Sequence, residues 1–401
     1  MIRHLLKLVW NRKRANALII LEIFFTFLVV FAVGTLGLYL WDNWRRPLGF
    51  EWRDVWAVEV DMQQVSDDKF TPEQVATAAR LAREVESLDA VEGVTGAMMT
   101  PFTFGQYSSQ MEVNGREVAM SFNEVTESFA EVMRIDLVKG RWFQPADANL
   151  SWRPVVIDED LAREAWGDED PLGERLGEPD PKRLEPELRV IGVVSDFRHH
   201  GELSAPGNFV FQYKRLGHAE HRPPRALLVR VRPGTPAAFE EELTRRMQGV
   251  ARDWSFEVKP LEQIRATSFR QRITPLVVGG IVAFFLLLMV ALGLLGVLWQ
   301  NLLQRTREIG LRRAVGASRG EVHRQIVMEQ LLLTTLGVLM GTLLVVQLPV
   351  LDVFGSTLRP EVFASGLVLA LVSMYLLAAL CAVYPSTMAS RVRPAEALRY
   401  E

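Results

Sequence analysis

The sequence predicts an α-helical membrane protein with four transmembrane helices and a large α/β (α+β) extracytoplasmic domain. Four uninterrupted apolar segments are each long enough to cross a bilayer as a helix, which takes about 20 residues. These segments are residues 17–40, 276–298, 330–351 and 363–383. One lies near the start and three near the end, a 1+3 arrangement, and the polar residues 42–273 alternate helix and strand patterns. This layout suggests a mechanical connection between the two sides of a membrane.

Charges beside the apolar segments predict the orientation, because Lys and Arg near a span accumulate on the cytoplasmic side. Residues 1–16 carry five basic residues and no acidic one. The loop 300–328 carries six arginines against Glu308, Glu321 and, just beyond its end, Glu329. We therefore place residues 1–16, the loop 300–328 and the tail 384–401 in the cytoplasm. Residues 42–273 and the short turn at 352–361 are predicted to lie outside.

Composition narrows the class of partner and the source of stability. Residues 42–273 contain 30 Lys and Arg against 40 Asp and Glu, a net charge of −10, which argues against nucleic acid as a partner. The first apolar segment is followed by Trp-Asp-Asn-Trp rather than by a small-residue cleavage pattern, so we predict an uncleaved anchor. The single cysteine, Cys381, lies in the fourth segment. The outer domain is therefore expected to be held by its core without a disulfide.

The outer domain begins with signals for a strand and a helix. Alternating apolar residues at 56, 58 and 60 predict a half-buried strand. Thr71 as N-cap, with Pro72 after it and Gln74 reaching back in a capping box, predicts a helix start. We expect this helix to run to about residue 88 and to be closed by Gly93.

Later signals suggest one lobe interrupted by a second. Asn114 and Gly115 favour a two-residue hairpin turn, because both positions need positive φ. Further strands are predicted at residues 154–157, 188–194, 227–231 and 256–258, and helices at 159–166 and 235–248. The order strand, helix, hairpin, middle block, then strand, helix and strand places an inserted lobe at about residues 128–224.

No motif for catalysis or for nucleotide binding is found in the sequence. It contains no Gly-x-x-x-x-Gly-Lys-Ser/Thr loop, no Gly-x-Ser-x-Gly elbow and no His-Glu-x-x-His helix. Four histidines lie close together in sequence, namely His199, His200, His218 and His221. Because no cysteine accompanies them, solvated loop histidines are a better interpretation than a zinc site. If energy is consumed, we expect a partner to consume it.

Two carboxylates and two glycines stand out in the apolar segments. Glu22 lies inside the first segment and Glu329 at the edge of the third, each within about two turns of the cytoplasmic end. An interfacial ion pair with a nearby arginine is preferred to a proton relay for both. Gly337 and Gly341 have the spacing that lets two helices approach closely, although this spacing is common by chance.

The loop 300–328 is predicted to contain a short helix, a sharp break and a new helix. Glu308 precedes Arg312 by four residues, a favourable helical order, and Gly316 is a natural C-terminal stop. The predicted helix consists of Arg307, Glu308, Ile309, Gly310, Leu311, Arg312, Arg313, Ala314 and Val315. Ser318 and Glu321 then form a capping box. The simple interpretation is a basic loop; the alternative is a helix whose apolar side, Ile309, Leu311, Ala314 and Val315, is presented to a cytoplasmic partner.

Several motifs resemble the ABC-transporter permeases of the macrolide-exporter (MacB) and FtsX-like superfamily. Residues 307–317 resemble their signature, residues 393–401 resemble their tail, and Glu329 with Gly337 and Gly341 matches their third span. Matching stretches of the outer domain are residues 140–143, 155–166, 170–173 and 192–197. The resemblance extends over nearly the whole chain.

The resemblance implies an inner-membrane permease whose periplasmic domain has a porter-like lobe and an inserted second lobe. It implies a dimer with a second copy or a similar permease, an ABC ATPase that binds ATP and Mg, and possibly a periplasmic adaptor protein. No catalytic, cofactor or metal site is expected in this chain, and its ATPase is expected on a separate polypeptide because no fused nucleotide-binding domain is found. ATP-driven closure of the ATPases would move the periplasmic domains, a process called mechanotransmission.

The resemblance leaves the substrate open. Efflux of a drug, peptide or lipid-like substrate is the leading hypothesis, and lipoprotein extraction or FtsX-like control of a periplasmic partner are the alternatives. A membrane-anchored enzyme or sensor would need a catalytic constellation or a cytoplasmic output domain, and the sequence shows neither. A homodimer and a heterodimer remain equally open.

Overall fold

The computed structural model describes residues 13–62, 70–177, 186–218, 221–314, 318–351, 353 and 358–391. The chain divides into two compact units, one formed by Met1–Asp42 with Ile273–Glu401 and the other by Asn43–Arg272. Helices are α1 (Lys13–Trp44), α2 (Pro72–Glu86), α3 (Phe129–Met133), α4 (Glu159–Trp166), α5 (Phe239–Val250), α6 (Leu261–Ala314), α7 (Arg319–Val345), α8 (Gln347–Val350) and α9 (Pro360–Arg391). Strands are β1 (Val55–Asp61), β2 (Val91–Ala97), β3 (Tyr107–Val113), β4 (Arg116–Val125), β5 (Leu137–Gly140), β6 (Arg153–Asp158), β7 (Leu188–Val194), β8 (Phe209–Tyr213), β9 (Ala226–Val231) and β10 (Ser255–Pro260).

Within the described part of the chain, four helices are long and apolar enough to cross a membrane, as the hydropathy pattern predicts. They are Ala17–Trp44, Leu261–Gln300, His323–Val350 and Pro360–Val383. The third span ends one residue before the predicted 330–351 does, although α7 itself ends at Val345 and the short helix α8 follows it. Pro349 explains the end of α7, since it cannot donate a hydrogen bond to Val345, four residues earlier. The basic start 1–12, the tail 392–401 and half of the residues 352–361 lie outside the described residues.

The second unit, the mixed domain, contains one sheet whose halves are joined over a short ladder. The strand order is β10-β1-β9-β2-β4-β8-β6-β7-β5, with β3 beside β4. Between β2 and β4 the ladder has one residue pair, Ala97 and Val125. We call β10, β1, β9 and β2 the first half and the remaining strands the second half. Phe129, Phe197 and Phe211 belong to a buried cluster that also includes Ala57 and Leu228 of the first half.

The pairing moves the predicted start of the inserted lobe. Residues 128–224 supply β5 to β8, but the preceding hairpin β3–β4 also belongs to the second half, because β4 pairs in parallel with β8. The second half therefore begins at β3 rather than at residue 128. The sequence of the hairpin specifies its own turn and not its distant partner, so the pairing of β4 with β8 could not be predicted from it. A division into two separate lobes stays a prediction.

Local signals were confirmed wherever capping or turn chemistry specified them. The Gln74 N–H donates to Thr71 Oγ1 at 3.2 Å, and the Thr71 N–H donates to Gln74 Oε1 at 2.8 Å. Asn114 and Gly115 have φ of 52° and 72°, which places the predicted turn between β3 and β4. Two helix ends differ from prediction. Gly93 lies within β2, and α2 ends at Glu86. Helix α5 begins at Phe239 rather than at residue 235.

Strand β1 is buried on both faces from Val55 to Val58 and on one face only from there to Asp61. It lies between β10 and β9. Val55 and Ala57 pack into one buried cluster, whereas Trp56, Val58 and Val60 pack into another. The alternation marks a solvent face at the end of the strand, where Glu59 and Asp61 are exposed, so the predicted half-buried strand is confirmed there and is wrong for Val55–Val58. Val55 and Ala57 are buried as well, because the domain has a core on each side of this part of the sheet.

Close packing of β5 on β7 accounts for two glycines of the motifs quoted above. Gly140 and Gly192 are paired across these strands. A Cβ on Gly140 would lie 2.3 Å from the Ile191 carbonyl oxygen, and one on Gly192 would lie 2.4 Å from that of Arg141. Both separations are too short for any side chain. Arg141 itself forms a two-pronged ion pair with Asp147, with both N–O distances 2.7 Å.

Lowering the pH is expected to stabilise the region around α4. Asp158 is fully buried and caps α4, because its Oδ1 accepts from the Leu161 N–H at 3.0 Å. Burial, with added repulsion from the Asp160 and Asp196 carboxylates, raises the pKa of the Asp158 carboxyl well above its ordinary value. The folded state therefore takes up a proton more readily than the unfolded state, and stability rises as pH falls from neutral towards the ordinary carboxyl pKa. Hydrogen exchange of residues 159–166 in the full chain, corrected for intrinsic rates, should show more protection at pH 5.5 than at pH 7.5.

The matched variants for this prediction are Asp158→Asn and Glu169→Gln. Asparagine keeps a capping oxygen and removes the titrating group, so the pH dependence of protection should disappear. Glu169 is exposed and follows the same helix, so its variant should keep the wild-type profile. An unchanged pH profile in Asp158→Asn would contradict the assignment.

Candidate functional site

Glycines from three helices lie against α1. A Cβ on Gly337 of α7 would lie 2.7 Å from Ile23 Cγ2 and 2.9 Å from the Ile20 carbonyl oxygen. One on Gly341 would lie 2.3 Å from Phe27 Cδ1. On α9, a Cβ at Gly366 would meet the hydroxyl of Thr35 at 2.1 Å. The predicted glycine pair thus lies where α7 meets α1, and the glycines of α6 and α9 extend the same kind of packing to two further helices.

The intramembrane carboxylates occupy different surroundings. Glu22 is half-buried, and its Oε2 lies 2.9 Å from where a Cβ of Gly293 on α6 would be. The missing side chain of Gly293 thus makes room for the carboxylate. Glu329 is half-buried on α7 and does have an interaction partner. Residues 1–12 lie outside the described residues, so pairing of Glu22 with a basic residue there stays a prediction.

The segment predicted to couple to a partner is a helix followed by a capped helix. Helix α6 is continuous through Ala314, so it contains Arg307 to Arg313, whereas Val315 and Gly316 lie outside the described residues. The Leu311 side chain is 57% exposed. Ahead of α7, the Glu321 N–H donates to Ser318 Oγ at 3.2 Å, and the Ser318 N–H donates to Glu321 Oε2 at 2.9 Å. The predicted capping box is confirmed, and the coupling role stays a prediction.

His199 is not the solvated loop residue that the sequence suggested, and the other three histidines are half-buried rather than fully exposed. His199 is 4% exposed, and its ring stacks on Phe209 with centroids 5.8 Å apart. Burial, with the charge of neighbouring His200, lowers the pKa of His199 to about 3, so it is neutral. His218 and His221 are half-buried with ring centroids 4.6 Å apart. The loop after β7 folds back onto the sheet, and its polar sequence gave no indication of this.

The chain enters and leaves the mixed domain at one place, which sequence reasoning missed. Trp44, at the end of α1, packs edge-on against Phe269 of α6 with ring centroids 5.4 Å apart. The Arg265 guanidinium of α6 lies 4.4 Å from the ring centroid of Trp52 and pairs with Glu202. The interleaved aromatic and basic residues of 41–53 and 265–272 were a weak signal for this contact.

Two family descriptions match this chain. Residues 17–246 match the MacB-like periplasmic core domain, and residues 280–394 match the FtsX-like permease C-terminal domain. The first match covers more than half of the chain. The chain belongs to the MacB/FtsX-like superfamily of ABC-transporter permeases.

Individual relatives agree with this membership. The chain is 27% identical over 364 residues to the macrolide export ATP-binding/permease protein MacB of Bordetella avium (strain 197N), covering 87% of this chain and 53% of that protein. It is 22% identical over 342 residues to the uncharacterized ABC transporter permease YknZ of Bacillus subtilis (strain 168), covering 82% and 81%. The crystal structure of the periplasmic region of MacB from Actinobacillus actinomycetemcomitans aligns with a TM-score of 0.39 and 16% identity, covering 54% of this chain and 92% of that one. The chain spans about half the length of the MacB relative.

Proposed function

We propose that this chain is a non-catalytic permease subunit of an ABC transporter whose periplasmic domain is moved by ATP hydrolysis. Membership of the permease superfamily supports the class, and four apolar helices with a MacB-like periplasmic core domain support an inner-membrane location. The substrate class that we propose is a drug, a peptide or a lipid-like molecule to be exported. The name of the MacB relative specifies macrolide export for that relative.

The observation that carries the proposed mechanism is the continuity of α6. This helix of 54 residues begins directly after β10 and extends through the predicted coupling residues to Ala314. At 1.5 Å per residue, its length is about 80 Å. Pro275 lies inside it without ending it. A helix of this length can carry a displacement from one of its ends to the other.

The remaining parts of the proposal concern partners. An ABC ATPase would bind ATP and Mg, and this chain would bind neither. The apolar side of residues 307–315 would contact that ATPase. A second permease, identical or similar, would complete a dimer, and a periplasmic adaptor is a further candidate. Nucleic acid is not proposed as a partner, because residues 42–273 carry a net charge of −10.

The proposal requires the mixed domain and the segment between α6 and α7 to lie on opposite sides of the membrane. In a Cys381→Ala background, Glu117→Cys should react with an impermeant thiol reagent in intact spheroplasts, whereas Gly320→Cys should react only after permeabilisation. Glu117 is exposed on β4, and a Cβ at Gly320 meets nothing within 4 Å, so both sites accept cysteine. The reverse labelling pattern would invert the proposed orientation.

A further inference from the structure

A buried arginine joins the second half of the sheet to the chain segment that follows α1. Arg198 lies in the loop 197–204 between β7 and β8, which we call the Arg198 loop, and is 2% exposed. Its Nη1 donates to the carbonyl oxygens of Asn43 at 2.8 Å and Arg46 at 3.1 Å. Its Nη2 donates within the loop, to the carbonyl oxygens of Glu202 at 2.5 Å and Ser204. One guanidinium thus holds two backbone segments together.

Further hydrogen bonds align the same two segments. The Arg198 N–H donates to the Leu48 carbonyl oxygen at 3.0 Å. The Asn43 side chain donates to the Leu203 carbonyl oxygen at 3.4 Å. Main-chain acceptors have fixed positions, so this arrangement sets the position of residues 43–48 relative to the loop. A lysine could not reproduce it, because a single ammonium lacks the planar fork of donors.

The Arg198 loop also contacts α6. Glu202 pairs with Arg265, in the second turn of that helix. The loop is anchored in the domain by Phe197, whose ring centroid is 4.9 Å from those of Phe50 and Phe211. Both ends of the mixed domain, residues 43–48 and the start of α6, therefore meet one loop that is fixed in the core.

The topology gives this contact its significance. Along the chain, the segment after α1 leads into β1, and β10 leads into α6, so both covalent connections belong to the first half of the sheet. The second half is joined to the first by the Ala97–Val125 ladder pair, by main-chain hydrogen bonds on either side of it, and by the shared core. The Arg198 loop gives the second half its own direct contact with the helix ends. Without that contact, the second half could lag behind the first.

We propose that Arg198 is the positioning residue that makes the second half of the sheet follow the movement of α1 and α6. This inference rests on the proposed function, because it assumes that ATP hydrolysis moves these helices. It goes further by naming the residue through which the movement of the helices reaches the second half. With Arg198 in place, the mixed domain moves as one body; without it, the domain bends at the junction between β2 and β4.

Arg230 provides a matched control. It is 5% exposed and donates to the carbonyl oxygens of Val132 at 2.5 Å, Arg53 at 3.1 Å and Glu51 at 3.1 Å. It therefore holds the same incoming segment through Glu51 and Arg53, and it also holds α3 through Val132. Arg230 lies on β9, in the first half that this segment enters, and α3 packs against β2 and β9 of that same half. Its loss should weaken the domain without separating the second half from the helices.

The test uses the full chain in complex with its ATPase in lipid nanodiscs, with Cys381→Ala and pairs of spin labels. One pair joins exposed sites on α6 and in the second half, Ala266→Cys and Asp168→Cys; the other joins Ala266→Cys to Glu242→Cys on α5 in the first half. A separate label at Gly320→Cys reports whether nucleotide changes the surroundings of the start of α7. Distance distributions are measured without nucleotide and with ATP trapped by vanadate.

In Arg198→Lys, the distribution of distances between α6 and the second half should be at least about twofold broader than in the wild type without nucleotide. It should also shift when nucleotide is added, as expected for a newly freed hinge. The pair in the first half should stay unchanged, and Arg230→Lys should match the wild type in both pairs. If Arg198→Lys folds poorly, Glu202→Gln should give a smaller broadening in the same direction. One result would overturn the role of Arg198 and leave the proposed function standing. In it, the distance distributions of Arg198→Lys and Glu202→Gln match the wild type, while the label at Gly320 responds to nucleotide. A Gly320 label that ignores nucleotide in the wild type would overturn both.

Discussion

Replacing Leu311 by aspartate is expected to release the ATPase from this chain while leaving membrane insertion intact. Leu311 lies on α6 close to its end at Ala314, and more than half of its surface is exposed. An apolar side chain in this place is expected to fill a groove on a partner, and such anchors carry most of the energy of an interface. Losing one should cost at least about 2 kcal/mol, or roughly 30-fold in the dissociation constant. Ile309→Asp should behave in the same way.

Two controls separate this loss from a general effect of added charge. Arg313→Ala should weaken binding only mildly and in a salt-dependent manner, because rim charges contribute less than buried anchors. Leu150→Asp places the same change on an exposed leucine of the mixed domain and should leave ATPase binding unchanged. Binding is measured by copurification and by titration of the solubilised complex. If both Ile309→Asp and Leu311→Asp bind the ATPase as the wild type does, this segment is only a charged loop and not the coupling contact.

Adding a single methyl group at Gly337 is expected to destabilise the helix bundle. The new Cβ would lie 2.9 Å from a main-chain oxygen of α1, which cannot move without moving the helix. Overpacking of this kind costs about 1 to 3 kcal/mol. Gly341→Ala should have a similar effect, because the Cβ would meet the fully buried ring of Phe27 at 2.3 Å. The free energy of unfolding in mixed micelles, measured by denaturant titration, reports both changes.

Gly296 on α6 supplies the control for these variants. A Cβ there meets nothing within 4 Å, so Gly296→Ala adds no clash and should gain up to about 1 kcal/mol from helix propensity. The free energy of unfolding is therefore expected to rise in Gly296→Ala and to fall in Gly337→Ala. Stabilisation by Gly337→Ala would show that the approach of α7 to α1 is looser than 2.9 Å suggests.

The parts of the fold that the sequence predicted are those specified by local chemistry. Capping boxes at Thr71 and Ser318 and the turn at Asn114 each depend on residues within three positions, and each was found where expected. The apolar helices were equally clear, because 20 apolar residues in succession have few alternatives. The glycines 337 and 341 were visible as a spacing, although only the structure shows what lies against them.

Long-range contacts could not be predicted in the same way. The parallel pairing of β4 with β8 joins residues about 90 positions apart, and nothing in the sequence of either strand indicates which strand it pairs with. Arg198 was overlooked because an arginine in a polar loop is usually exposed. Its acceptors are main-chain carbonyls, which have no sequence signature. His199 was assigned to solvent for the same reason.

The central claim, that this chain is the permease of an ABC transporter, is tested most directly by ATP hydrolysis in material isolated from its own membranes. The chain is purified through an affinity tag after mild detergent solubilisation, and the proteins present are identified by mass spectrometry. The account predicts an ABC ATPase in the wild-type isolate, with hydrolysis that is lost in Leu311→Asp and absent from the chain alone. A wild-type isolate with no ABC ATPase, even after cross-linking in the membrane, or steady hydrolysis by the chain by itself, would contradict it.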